Sequence, residues 1–404
     1  MLLCTPTENA MRHHDFDEEI PRRGSGCKKW DTYPEDVLPM WVADTDFKAP
    51  QEVIDAVIAK AAHGVYGYTG MTGGSFEKAT ASWMQRRHGW DADPSWVEYT
   101  PTIGTSLAFA VTSFTQPGDF VVMQTPIYPP FRAAIETNGR RVAANPLLPP
   151  GPGEDGAYRI DFEDLEKKLA MPRARLLLLC NPHNPTGRCF TREELQRISE
   201  LCLRHNVIVF SDEIHADFIY GGQSMISFPT LSPEAARQCL VTVNPSKTFN
   251  VADFKTAAVI SANADLMDRY RATMQSARLG RISLCILAYE VAYTQCDYYV
   301  DQVRDYIGRN MDYAVSYFRD KIPGIGAYRP EATYLLWLDC RKLGMGQNEL
   351  EAFFIEKAKV AFNSGTDFGE EGRGFMRMNL GCTMKTMKEA MPRIERAVNA
   401  LGVV

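Results

Sequence analysis

Leu176-Leu177-Leu178-Leu179-Cys180-Asn181-Pro182-His183-Asn184-Pro185-Thr186-Gly187 is the stretch whose reading decides the fold. Its apolar run does not alternate with polar residues. That marks a strand buried on both faces, the signature of a parallel sheet covered by helices. The run ends in a turn rich in proline and glycine that carries two asparagines. A second stretch repeats the design: Val207-Ile208-Val209-Phe210-Ser211-Asp212-Glu213-Ile214-His215 is an apolar strand with a carboxylate at its carboxyl end. In open α/β sheets, ligands bind outside the carboxyl ends of the strands. Both stretches therefore deliver polar side chains to one edge of one sheet.

Working outward, the spacing predicts further strands at Trp96 to Tyr99, Phe120 to Gln124, Leu240 to Val243 and Ala257 to Ser261. Helical patterns lie between them, giving an α/β class with helices on both faces of the sheet. The first fifty residues read as an extended arm with turns. Pro50 then opens a helical pattern through Val53, Ile54, Val57, Ile58 and Ala61 that stops before Gly64. Pro149 to Gly156 reads as a loop, because the α/β pattern resumes directly after it. Beyond about residue 300 the texture changes. A long helix, Val303 to Lys321, is followed by strands at Tyr334 to Leu338 and Phe375 to Leu380, around a helix from Gln347 to Val360. The expected organisation is an arm over residues 1–60, a large α/β domain over 61–299 and a smaller α+β domain over 300–404.

Composition narrows the function. The 404 residues carry a formal net charge of -6 with both signs mixed along the chain, which excludes the basic face of a nucleic-acid binder. No run approaches the roughly 20 apolar residues of a membrane span. The segment Met1 to Ala10 lacks the basic and apolar regions of a signal peptide, and Met11 is an alternative start. None of the ten cysteines has Cys-x-x-Cys spacing, and no histidine or cysteine partner stands at ligand spacing from His215, so no metal site is expected. Unpaired cysteines in apolar runs point to a reduced, cytoplasmic protein.

The chemistry is carried by Val243-Asn244-Pro245-Ser246-Lys247-Thr248-Phe249-Asn250. Lys247 sits between small hydroxyl residues after an apolar stretch, and Lys255 follows eight residues later. A lysine so placed can form a Schiff base with pyridoxal phosphate, while the hydroxyls and the second cation hold the phosphate. A single Ser-Lys-Thr also occurs on ordinary surfaces. The carboxylate Asp212 and the asparagine-bearing turn upstream supply the other groups that this cofactor needs.

Taken together, the chain resembles the fold-type I pyridoxal-phosphate enzymes of the class I/II aminotransferase family, and within it the MalY/PatB-type cystathionine β-lyases. The segments that carry the resemblance are Lys29-Trp30-Asp31, Leu38 to Asp44, Tyr66-Gly67-Tyr68-Thr69, Thr125-Pro126-Ile127-Tyr128, Cys180 to Gly187, Ser211 to Asp217, Ser246 to Asn250 and Phe368 to Phe375. His215 points to the subgroup, since many aminotransferases carry a tyrosine there.

The resemblance implies an aspartate-aminotransferase-like large domain, with the N-terminal arm packed on the small one, and a homodimer with shared active sites acting on a small amino acid. It implies that Lys247 carries the cofactor, that Asp212 faces the pyridine nitrogen and that Tyr128 stacks on the ring. Asn184 and His215 then lie near the phenolate oxygen. Ile103 and Gly104, at a helix start, join Ser246 and Lys255 around the phosphate. Tyr68 reaches the phosphate of the other subunit, and Arg377 holds the substrate α-carboxylate, with Asn184 beside it. Each residue also has a plainer role open to it. Asp212 and Thr102 suit helix caps, Asn181 and Asn184 suit turns, Tyr128 suits a core and Arg377 suits an ion pair. In one place the chain departs from the family, which has Gly-Leu where Asp253-Phe254 stands here. The implied reaction is α,β-elimination from S-substituted cysteines. An aminotransferase, or a non-catalytic regulator on the same fold, are the alternatives.

Overall fold

The structure is a computed structural model that describes residues 12–70, 73–150 and 156–402. The N-terminal stretch through Met11 and the middle of the expected 149–156 loop lie outside the described residues. The segment expected as an extended arm holds a one-turn helix, Lys28–Asp31, and a two-residue strand, β1 (Leu38–Pro39), and leads to a helix, Gln51–Ala62, that Pro50 precedes. It then builds a seven-stranded sheet from β2 (Val97–Thr100), β3 (Phe120–Thr125), β4 (Arg141–Pro146), β5 (Ala174–Cys180), β6 (Ile208–Asp212), β7 (Cys239–Val243) and β8 (Ala257–Ile260). The order across the sheet is β2-β8-β7-β6-β5-β3-β4, and β8 alone runs antiparallel to its neighbours.

The apolar runs explain why this sheet is central. In β5, Leu177 and Leu179 pack into one hydrophobic cluster while Leu176 and Leu178 pack into another on the opposite face. All four are fully buried, each stabilising the fold by about 1.5–3 kcal/mol. The same alternation divides Val209 from Phe210 in β6 and Val241 from Leu240 in β7. On one face lie helices Ile103–Phe114, Pro129–Glu136 and Ala264–Ser276, through Leu107, Val111, Phe131, Ile135 and Tyr270. The larger cluster on the other face takes in helices Ser75–His88, Arg192–Arg204 and Ser283–Gln295.

After the 25-residue helix Asp297–Lys321, a four-stranded antiparallel sheet forms from β9 (Gly326–Ala327), β10 (Leu335–Asp339), β12 (Asn363–Ser364) and β13 (Phe375–Asn379). Between β10 and β12, β11 (Val360–Ala361) pairs in parallel with β1, tying the entry segment to the C-terminal part. The expected helix from Gln347 to Val360 is shorter. It is α-helical to Phe353, widens into a π turn over Phe354–Ala358 and is stopped by Lys359 in the left-handed region (φ 56). The expected strands are present with ends shifted by one or two residues, and β4 and the two-residue strands β1, β9, β11 and β12 are additions.

Candidate active site

The sheet topology brings the candidate site residues to one edge. Asp212 ends β6, and its Cα is paired with Cys180 on β5 and with Thr242 on β7. Asn184 lies in the turn after β5, and Lys247 in the turn after β7. Because β8 runs antiparallel, Lys255 just before it reaches the same edge, as does the start of helix Ile103–Phe114 after β2. Tyr128 follows β3 at the head of helix Pro129–Glu136. A cavity of about 290 Å3 forms here, lined by Tyr128, Asn184, Asp212, His215, Ser246, Lys247 and Lys255, with Ile103 and Gly104 at one end. A larger hollow of about 600 Å3, next to Tyr158, Tyr328 and Trp337, contains none of these groups, so size alone does not locate the chemistry.

Lys247 is half-buried, and its Nζ donates to the Ala43 carbonyl at 2.7 Å. Burial, then the Arg377 charge, lower its pKa to about 8, against the pull of Asp44 and Asp212. Asp212 is 2% exposed and takes one hydrogen bond from protein, from the Ile214 N–H at 3.1 Å. Burial raises it to about 7, with Lys247 pulling the other way. Its neighbour Glu213 is a contrast: Ser211, Ser227 and the Phe228 N–H all donate to it at 2.7–3.0 Å, so it is a satisfied structural carboxylate. His215 is buried and held neutral by desolvation and by the Lys247 and Arg377 charges, and its Nδ1 has no partner among the described residues.

Arg377 stands in β13, in register with Asn363 on one side and Trp337 on the other. It is 3% exposed, and among the described residues its hydrogen bonds go to two amide oxygens and a backbone carbonyl. Its fork donates to Asn184 Oδ1 at 2.9 Å, Asn363 Oδ1 at 2.6 Å and the Trp41 carbonyl at 3.1 Å, and it lies over the Phe368 ring. Desolvation lowers its pKa to about 10. Its bond to Asn184 fixes that amide, leaving the NH2 group as donor. Asn181, by contrast, takes the Phe190 N–H at 2.9 Å and serves its turn.

At the far end, Thr102 caps its helix through the Thr105 N–H at 3.0 Å, and Gly104 is exposed with only Thr102 Oγ1 near the position of a Cβ. With the Thr105 N–H taken by the cap, the N–H groups of Ile103 and Gly104, both lining the cavity, are the ones open to an anion. Asp253 is exposed, and Phe254 packs partly on the core without displacing Lys255 from the cavity lining. Tyr68 is fully exposed and is not among the residues that line this chain's cavity. Sequence reasoning missed Ala43, whose carbonyl holds Lys247, and Asn363, which orients Arg377. Only the position of Ala43 inside the Leu38 to Asp44 motif pointed to it.

The donor set fits pyridoxal phosphate. A lysine amine of lowered proton affinity, a buried carboxylate with unused acceptor capacity and an unpartnered histidine nitrogen line one cavity that ends at a helix N-terminus.

Comparison with known proteins agrees. Cystathionine beta-lyase PatB of Bacillus subtilis (strain 168) is 40% identical over 95% of this chain and 100% of its own length. Protein MalY of Escherichia coli (strain K12) is 33% identical over 96% and 99%. The crystal structure of cystalysin from Treponema denticola, which contains a pyridoxal 5'-phosphate cofactor, superposes with a TM-score of 0.92 at 34% identity, covering 96% of this chain and 100% of that one. The sequence model for aminotransferase class I and II matches residues 35–394, and the chain belongs to that family.

Proposed function

We propose that the protein is a pyridoxal-phosphate-dependent carbon–sulfur β-lyase that eliminates the thiol from S-substituted cysteines, leaving pyruvate and ammonia. The observation that carries this reading is the half-buried Lys247 amine facing Asp212 across one cavity, in a chain 40% identical to a cystathionine β-lyase over nearly its whole length. Pyridoxal phosphate, when bound, would supply an electron sink for the pair of electrons left when Cα loses its proton.

The residues supply the rest. The free Lys247 amine, with a pKa of about 8, is in part unprotonated near neutral pH and takes the Cα proton. Of the residues lining the cavity, Asp212 would offer an anion to the cofactor's ring nitrogen, Asn184 and His215 would offer polar contacts to its ring oxygen, and the Gly104 region, Ser246 and Lys255 would hold its phosphate. Arg377, already desolvated, pairs with the α-carboxylate and orients Cα–H toward Lys247. As the Cα–H electron pair is released, the Cβ–S bond breaks and sulfur leaves as thiolate. The three-carbon unsaturated amine then hydrolyses to pyruvate and ammonia.

The working form in this reading is a homodimer with Tyr68 entering the neighbour's site. The exposure of Val65, Tyr66 and Tyr68 within four residues supports it. The nine described cysteines are all unpaired, which supports a reducing, cytoplasmic setting. No described helix is long and apolar enough to cross a membrane.

The test is product stoichiometry. Elimination frees the substrate nitrogen as ammonia in every turn, whereas transamination holds it on the enzyme until a 2-oxo acid removes it. With cystathionine alone, continuous release of pyruvate, ammonia and thiol is expected. A halt at one equivalent per site, relieved by a 2-oxo acid, would overturn the reading in favour of an aminotransferase.

A further inference from the structure

Two of the segments that carry the family resemblance, Lys29-Trp30-Asp31 and Leu38 to Asp44, are not accounted for by cofactor or substrate contacts. The structure brings them together beside Lys247. The backbone from Trp41 to Phe47 is held by side chains at almost every carbonyl. Arg377 takes that of Trp41, and Asn379 those of Val42 and Asp44. Lys247 and Tyr334 share that of Ala43, at 2.7 and 2.9 Å. Arg22 and Asn250 share that of Thr45, and Asn250 also holds that of Phe47.

Directly behind lies a cluster of two cations and two carboxylates. Lys29, 1% exposed, pairs with Asp46 at 2.9 Å and approaches Asp44 at 3.6 Å. It also donates to the Asp44 carbonyl at 3.2 Å. Arg22 bridges the same two carboxylates at 3.0 and 2.6 Å. Two tryptophans fix the frame, as Trp30 Nε1 donates to Asp46 and Trp41 Nε1 to the Lys29 carbonyl. One acceptor is left over: Asp44 Oδ1 is buried without a hydrogen-bond donor among the described residues.

We propose that the Arg22–Lys29–Asp44–Asp46 cluster is a positioning device for Lys247. It holds the Ala43 carbonyl where the lysine amine docks when it is not bonded elsewhere, and it fixes the Asp44 carboxylate on the next residue of the same clamped backbone. The physical grounds are two. A buried, hydrogen-bonded charge cluster has few alternative arrangements, so it fixes backbone that an apolar contact would leave free to slide. Asp44 also opposes the lowering of the Lys247 pKa by burial and by Arg377, as Asp212 does. The other titratable groups around the amine are His215, held neutral, Tyr128 and Lys255, which line the same cavity, and the Tyr334 hydroxyl, which shares the Ala43 carbonyl.

This inference rests on the lyase reading only for the use of the amine, so its first test needs no turnover. In apo-protein, the pH dependence of Lys247 acetylation by acetic anhydride, resolved by peptide mass spectrometry, reports its proton affinity. Asp44→Asn should move the midpoint to lower pH and raise the labelling rate at neutral pH by up to ~3-fold, as a shift of about half a pH unit does. Lys29→Met should lower kcat of the cofactor-loaded protein with little change in KM, and Lys29→Arg should restore most of it. A cluster that only stabilised the fold would lower the melting temperature of Lys29→Met and leave the labelling midpoint of folded Asp44→Asn unmoved; that result overturns the proposal. If Lys29→Met does not fold, Asp46→Asn takes its place in the kinetic arm. Absence of lyase turnover in the unaltered protein would remove the proposed function and leave the labelling result standing.

Discussion

At the scale of single residues, the two carboxylates after β6 show how environment divides labour between neighbours. Glu213 has three donors and Asp212 one, so only Asp212 retains charge-accepting capacity toward the cavity. Asp212→Asn should therefore keep the fold and lose turnover by more than ~100-fold, the scale on which one preorganised electrostatic partner is felt. The same substitution makes a stability prediction with a definite sign. In apo-protein the Asp212 pKa is raised from the usual carboxylate value to about 7. Its contribution to stability is thus fully present at acid pH and is lost as pH rises through about 7. Replacing it by a neutral amide removes that loss, so the melting temperature of Asp212→Asn relative to the unaltered apo-protein should be higher at pH 8 than at pH 5. A difference that does not change with pH would mean the carboxyl is not raised. Arg377→Ala should act chiefly on KM. Truncating one partner of a desolvated, charge-assisted pair costs on the order of 2–5 kcal/mol, and part of that loss comes from freeing Asn184 and the Trp41 carbonyl.

At the scale of elements, the proposed phosphate end gathers a helix start and the turns that carry Ser246 and Lys255. Lys255→Ala should weaken cofactor retention while leaving the sheet intact, seen as faster loss of bound cofactor on dialysis with an unchanged apo-protein melting temperature. The exposed position of Lys255 is the reason, since its removal uncovers no core. This edge was legible in the sequence because it is made where long apolar strands stop. Leu176 to Cys180, Val207 to Ser211 and Leu240 to Val243 have no polar face, so their ends, and Asn184, Asp212 and Lys247 just beyond them, stand out. What was illegible lacked that contrast. β4, Arg141-Val142-Ala143-Ala144-Asn145-Pro146, is an edge strand whose two end residues are exposed, and its small and polar residues carry no apolar run. The π turn at Phe354–Ala358 leaves the helical spacing of apolar residues nearly unchanged, so only the left-handed Lys359 marks the stop. Ala43 contributes a backbone carbonyl, which no side-chain pattern can reveal, and Asn363 lies on a two-residue strand placed only by its pairing with β13.

At the scale of the whole molecule, two sheets contribute to one site. Arg377 comes from the four-stranded sheet and Lys247 from the edge of the seven-stranded one, with the Trp41–Phe47 backbone clamped between them. We place the division between the two units in helix Asp297–Lys321, which follows the larger sheet and packs on β9 of the smaller. Tyr68 alone of the expected site residues stays outside this arrangement. Single exposed apolar side chains are ordinary on any protein surface. Val65, Tyr66 and Tyr68 in one short segment, more than half exposed each, are a concentration that a second copy would cover. Mixing tests this. In a dimer that joins a Tyr68→Phe chain to a Lys247→Ala chain, a shared-site arrangement pairs the intact Lys247 of the first with the intact Tyr68 of the second. One of the two sites is then whole, and the other carries both defects. Lyase turnover of isolated mixed dimers should therefore rise clearly above that of either parent homodimer, toward half that of the unaltered protein. If each chain instead builds its site from its own Tyr68, every site in the mixed dimer carries one defect, and its rate can only be the mean of the two parents.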